Sequence, residues 1–170
     1  MKCDFENFKS LNLDTACLAL ESTEHMYPYW CYPENCVPIG LEGCILYCFI
    51  EEYGDMVFAS NPESCADENV YPVAKSFEDF IRLVITCGSA NPIEQIVWMT
   101  KEKFREHLLC EKQNITDAQK QIIEILKTEF ELAPMENPYE YVKQIQSSFD
   151  DSFIHYSDEY YDIKGVEKPQ

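Results

Sequence analysis

"CVPIGLEGCILYCFIEEYGDMVFASNP", residues 36–62, decides how the chain folds. Val37–Ile39 ends at Gly40, Cys44–Ile50 is an apolar run, and Met56–Ala59 is another. Between the last two lies Glu51-Glu52-Tyr53-Gly54-Asp55, a connection of the length and composition of an antiparallel hairpin. A strand as uniformly apolar as "CILYCFI" is expected to be buried on both faces, hence central in its sheet. After the loop "NPESCADEN", Val70–Val73 makes one further short strand.

Downstream the hydrophobic period changes from strand-like to helical. Phe77, Phe80, Ile81, Val84 and Ile85 fall at i, i+3, i+4, i+7 and i+8, one apolar face. Ser76 is the expected N-cap, Glu78 and Asp79 suit the first turn, and Gly88 supplies the stop. Asn91 is read as a cap with Pro92 at the first helical position. Thr100 then caps a helix with Phe104, His107 and Leu108 on one side. Thr116 and Asp117 open a longer helix to about Leu132 with Ile122, Ile125, Leu126 and Phe130 inward. Asn137-Pro138 starts a last one with Val142, Ile145 and Phe149 inside.

Upstream, Asp14 is expected to cap a short helix through Leu20. "MYPYWCYP", residues 26–33, is read as an extended, buried aromatic connector. The expected fold is α+β, an antiparallel β-sheet flanked by helices with additional C-terminal helices. Residues 1–113 form the α+β domain, 114–150 a helical extension packed on it, and 151–170 an acidic, frayed tail.

Charge is the strongest compositional signal. Thirty-one acids face thirteen Lys and Arg, a net charge of −18. Between Lys9 and Lys75 there is no Lys or Arg, while Glu42, Glu51, Glu52, Asp55, Glu63, Asp67 and Glu68 all fall in that window. A field of one sign repels nucleic-acid phosphates and anionic lipid and speeds encounter with a basic partner. No apolar run approaches the ~20 residues a bilayer span needs, and the first residues carry no signal-peptide pattern. A cytoplasmic location is expected, with the nine cysteines reduced and several of them buried.

Catalytic and metal patterns are weak. Cys31-x4-Cys36 and Cys44-x3-Cys48 look like ligand pairs. Within one strand, however, Cys44 and Cys48 would stand about 13 Å apart at ~3.3 Å per residue, too far for one ion. A thiol nucleophile needs a base beside it, and His25, His107 and His155 are scattered along the chain. Adjacent acids such as Glu51-Glu52 and Glu78-Asp79 suit solvated turns and helix starts better than facing catalytic pairs. Five glycines, placed singly or as Gly40-x-x-Gly43, form no phosphate-cradling loop. No cofactor is expected. Three alternatives stand: a protein-binding module, a small hydrolase or thiol-dependent enzyme with a cleft near Tyr27–Tyr32, and a metal-stabilised structural protein.

Residues 36–88 add a resemblance. Ile39-Gly40, Gly43, the Tyr47–Phe49 strand, Val57-Phe58 and Ala74-Lys75-Ser76-Phe77 with Phe80 stand in the order and spacing of the SUKH superfamily. That superfamily groups a fungal cell-wall glucan synthesis regulator with bacterial immunity proteins of contact-dependent toxin systems. The chain resembles a divergent member. The family's upstream Pro-x-x-Tyr helix is missing from residues 1–30, and the loop after Ile39-Gly40 reads Leu41-Glu42-Gly43-Cys44. The resemblance implies non-catalytic protein binding, with an immunity role against a basic toxin domain. Glu42, Glu51, Glu52, Asp55, Asp67 and Glu68 are the expected partner-binding acids.

Overall fold

The computed structural model describes residues 1–169 and shows an α+β fold. Its centre is a four-stranded antiparallel meander, β1 (Cys36–Glu42), β2 (Ile45–Ile50), β3 (Val57–Ser60) and β4 (Val70–Ala74), in spatial order β1-β2-β3-β4. Seven helices surround it: α1 (Phe5–Ser10), α2 (Phe77–Cys87), α3 (Asn91–Gln95), α4 (Lys101–Gln113), α5 (Asp117–Phe130), α6 (Pro138–Ser147) and α7 (Asp158–Lys164). Among the described residues no helix is long and apolar enough to cross a membrane.

β1 does not stop at Gly40. It runs on to Glu42, with an irregularity in its pairing to β2 between Pro38 and Gly40. Gly40 is required by packing: a Cβ there would lie 3.0 Å from Leu20 Cδ2 and 3.1 Å from its Cα. The chain turns at Gly43-Cys44, because Glu42 pairs directly with Ile45. Gly43, at φ 59°, takes the first position of that two-residue loop, where a left-handed backbone is needed. Cys44 is therefore a turn residue and not part of β2.

β2 is interior, and its side chains alternate between two apolar clusters as the pleat dictates. Tyr47 and Phe49 join Val57, Ala59, Tyr71 and Val73 under α2, whose Phe77, Phe80, Ile81 and Val84 are fully buried. Leu46, Cys48 and Ile50 join Phe58 and Val70 on the opposite face. That second face is covered by the 26–32 connector and the C-terminal tail rather than by long helices. Ile154 is 5% exposed within it, with Phe149, Tyr156, Tyr160 and Trp30 packed around.

The tail is thus docked and not frayed. Asn35 Nδ2 donates to Phe153 O (3.0 Å), Glu34 N to His155 O (2.7 Å) and Lys164 Nζ to Asn69 Oδ1 (3.1 Å). The connector is buried only at Cys31–Pro33, while Tyr27 is 70% exposed.

The helices start where their caps say. The hydroxyls of Ser76, Thr100 and Thr116 accept from Asp79, Lys103 and Gln119 amides, and Gln119 closes a capping box. α2 ends at Gly88, φ 87°. Asn91 is not a cap; α3 begins at Asn91 itself, and its amide is used elsewhere. In α5, Ile123 is buried and Ile125 is exposed, one position off the expected stripe. Asp14 starts only a single 3₁₀ turn, Ala16–Leu18.

Candidate functional site

In a meander, successive turns fall on opposite ends of the sheet. The Gly43-Cys44 turn and the 61–69 loop share one end; the 51–56 connection lies at the other. The six acids expected to bind a partner are therefore split. Glu42, Asp67 and Glu68 stand at the first end, and Glu51, Glu52 and Asp55 at the second.

At the second end, two of the three are bonded within the chain. Glu52 Oε2 accepts from Asn35 Nδ2 at 2.5 Å, and Oε1 lies 3.8 Å from His155 Nε2, tying the hairpin to the tail. Asp55 Oδ2 accepts from the Phe77 amide at 3.3 Å, at the start of α2. Glu51 is exposed. Asp67 and Glu68 are exposed as well, and the Asp67 carbonyl holds Lys164 Nζ at 3.0 Å.

The first end holds a cleft of about 520 Å³ that the sequence did not announce. Glu42 enters it from the end of β1, Glu63 from the 61–69 loop and Glu94 from α3, with Asn61, Asn91 and Trp98 on its walls. Glu94 is 2% exposed, and Ile93 and Ile96 near it in sequence are fully buried. Its Oε1 accepts from Asn61 Nδ2 at 2.9 Å and from the Tyr71 hydroxyl. Asn61 is fixed in turn. Its backbone exchanges with Asn69 (N to Asn69 O 2.8 Å; O from Asn69 Nδ2 2.9 Å), and its Oδ1 accepts from the Glu63 amide at 2.8 Å.

Glu42 is half-buried and doubly bonded. Oε1 accepts from Asn91 Nδ2 at 2.5 Å and Oε2 from the Tyr47 hydroxyl at 3.3 Å. Asn91 Oδ1 then accepts from Gln95 Nε2 at 2.9 Å and lies 3.4 Å from His107 Nε2.

Burial, reinforced by the charge of Glu94, holds the Glu42 carboxyl above the ordinary carboxylate range against the pull of the Asn91 amide. Burial and the neighbouring carboxylates push the Tyr71 and Tyr47 phenols up, so both remain hydrogen-bond donors at neutral pH. None of the three cleft carboxylates is in an ion pair among the described residues. An acidic cleft whose walls also carry amides, one indole, Ile45 and two thiols can hold an organic cation.

The thiol candidates lie elsewhere. Cys48 is fully buried, and the neighbouring Cys36 thiol and burial push it up; Cys36 is lowered by the same neighbour. The histidines do not meet them: His107 sits by Asn91, His155 by Glu52, and His25 is exposed. Among the described residues no His, Cys, Asp or Glu cluster has the geometry to hold a metal ion.

Of the three cleft carboxylates, only Glu42 is among the expected partner-binding acids. Glu63 had appeared only as one acid of the base-free window. Glu94 is the residue that was missed. The available signal was a lone Glu inside the apolar run "IEQIVWM", where an inward carboxylate needs inward donors. A scan against protein-family models and searches of curated proteins and solved structures return no match.

Proposed function

We propose that the protein is a non-catalytic, cytoplasmic binding module that takes a basic protein partner, in the manner of an immunity protein neutralising a basic toxin domain. The observation that carries this reading is the cleft carboxylate Glu94, which is withdrawn from water without a cation of its own chain beside it. Charged groups are almost never fully buried unless paired, and an external cation completes the pair.

The wider charge supports the same reading. A surface without Lys or Arg from residue 10 to 74, on a chain of net charge −18, attracts basic surfaces over a Debye length of about 8 Å in physiological salt. The SUKH-like residues 36–88 support it from a separate direction, since charge played no part in that resemblance.

The test is co-expression with a panel of cationic nuclease toxin domains, followed by calorimetry at low and high salt. Rescue of growth by a cognate toxin's partner, with affinity falling steeply as salt rises, is the expected result. Rescue by none of the panel, or binding indifferent to salt, defeats the proposal.

A further inference from the structure

We infer that the cleft between the β1–β2 turn and α3 is a socket for one arginine side chain of a protein partner, recognised by Glu94, Glu63 and Glu42 with Trp98 at its rim. The inference rests on the reading of the chain as a binder of basic proteins and names the group that the site reads.

The bonding of Glu94 is one-sided. Both of its donors, Asn61 Nδ2 and the Tyr71 hydroxyl, go to Oε1. Among the described residues Oε2 accepts from no protein group, yet no fully enclosed side-chain oxygen is left without a partner. That oxygen therefore opens onto the cleft that Glu94 lines. A side chain that is 2% exposed thus turns an unpartnered carboxylate oxygen toward a cleft whose walls combine the acids Glu42 and Glu63 and the amides of Asn61, Asn91 and Gln95 with Cys44, Ile45, Cys65 and Trp98. The donors that fix Oε1 also fix the direction of Oε2, so the site is built before any ligand arrives.

The occupant follows from the lining. Glu42 has both oxygens already engaged and contributes charge more than a free acceptor. Glu63 is exposed on the loop whose backbone Asn61 pins. An ammonium group would meet these carboxylates as a point charge. A guanidinium offers five donors in a planar fork and can serve more than one acceptor at once. Trp98, 40% exposed at the rim, offers a flat face for that plane. The cleft of about 520 Å³ is open to solvent, as a site that receives a side chain presented by another protein must be.

The test uses the whole protein and the peptide acetyl-Gly-Arg-Gly-amide, with lysine and citrulline in place of arginine as comparisons. Titration is followed by NMR at the two tryptophan indole N–H groups, Trp30 being the internal control on the opposite face. The arginine peptide is expected to shift the Trp98 signal saturably and leave Trp30 still. The citrulline peptide should give no shift, and the lysine peptide should bind several-fold more weakly.

Glu94→Gln keeps a carbonyl for Asn61 and Tyr71 and removes only the charge; it should weaken the arginine peptide at least ten-fold. Glu63→Gln, on an exposed loop that carries no fold risk, should also weaken it. A Trp98 shift that survives both variants, or is reproduced by citrulline or matched by lysine, overturns the assignment. If a cationic toxin domain binds with steep salt dependence while both variants leave it untouched, the socket is wrong and the wider reading stands. If no cationic protein binds but the peptide saturates the site, the socket stands and the wider reading falls.

Discussion

The docked tail gives the sharpest check on how the second face of the sheet is covered. Ile154 is the tail residue most deeply set in that face, 5% exposed in the cluster that also holds Cys31 and Cys48, both fully buried. Burying an isoleucine is worth about 1.5–3 kcal/mol, and alanine keeps only part of that. Ile154→Ala should therefore weaken docking of residues 150–160 by about 2 kcal/mol, or ~30-fold in the population of the undocked form.

The hydrogen bonds at Tyr53 and Asn35 hold the tail in register, but they are exposed, so they do not offset the loss. The assay is alkylation rate by mass spectrometry, cysteine by cysteine. Cys31 and Cys48 should label about 30-fold faster in the variant. Cys87 lies 1% exposed on the other face, with its thiol pushed up to about 12 by burial, and should not change. Unchanged rates at Cys31 and Cys48 would show that the tail is not their cover. Equal acceleration at Cys87 would show global unfolding and refute local docking.

Three further outcomes are expected. Gly40→Ala drives a methyl into the Leu20 backbone, where the segment is tied by the paired bonds Glu21 N to Leu41 O (2.7 Å) and Leu41 N to Glu21 O (3.0 Å). Overpacking of this kind costs about 1–3 kcal/mol, more than alanine gains over glycine in a strand, and the urea midpoint should fall accordingly. Glu42 has its folded pKa raised by burial, so stability from this group is present below its unfolded value of about 4.3 and is lost as pH rises through the folded value. Capture of a cation runs the other way across that window, growing as the carboxyl ionises. Denaturation profiles of wild type and Glu42→Gln that share one pH dependence would contradict the first statement, and an arginine-peptide affinity that does not rise across that window would contradict the second. In partner binding, Glu51→Lys at the far end should slow association in low salt with little effect on dissociation, whereas Glu94→Gln should speed dissociation. Stopped-flow traces showing the reverse assignment would contradict the division between steering and seating.

The parts of the fold that the sequence announced are those whose signals are local. Ser76, the Phe77–Ile85 stripe and Gly88 lie within one helix length and specify α2 together. The double burial of β2 was readable because every position from Ile45 to Ile50 is apolar. What covers its second face was not, because Ile154 and Tyr156 reach it from a hundred residues away and look like an acidic tail in sequence. Gly40 was mistaken for a strand end, since only the Leu20 backbone across the edge explains a glycine inside β1. Asn91 fits a helix cap by local rule and is instead held by Glu42, 49 residues distant. The site shares this character. Glu42 was legible as an acid in a base-free stretch, but Glu94 becomes notable only when Tyr71 and Asn61 are seen to turn it inward.

Glu94 also separates two explanations of the acidic composition. Acids kept for solubility belong in water, and exposed residues such as Glu51, Asp67 and Glu68 supply that at little cost. Carrying a carboxylate inside adds nothing to solubility and requires donors there in place of water. Nor does the local structure need the charge: Asn61 and Tyr71 require one acceptor oxygen between them, which a glutamine amide would provide as well. Glu52 and Asp55 differ in exposure: each accepts from a donor of its own chain, as Glu94 does, but lies in water. At Glu94 the neutral residue would serve the fold and the charged one is present, so the negative charge itself is what the site offers, and a cation from outside the chain is what it suits.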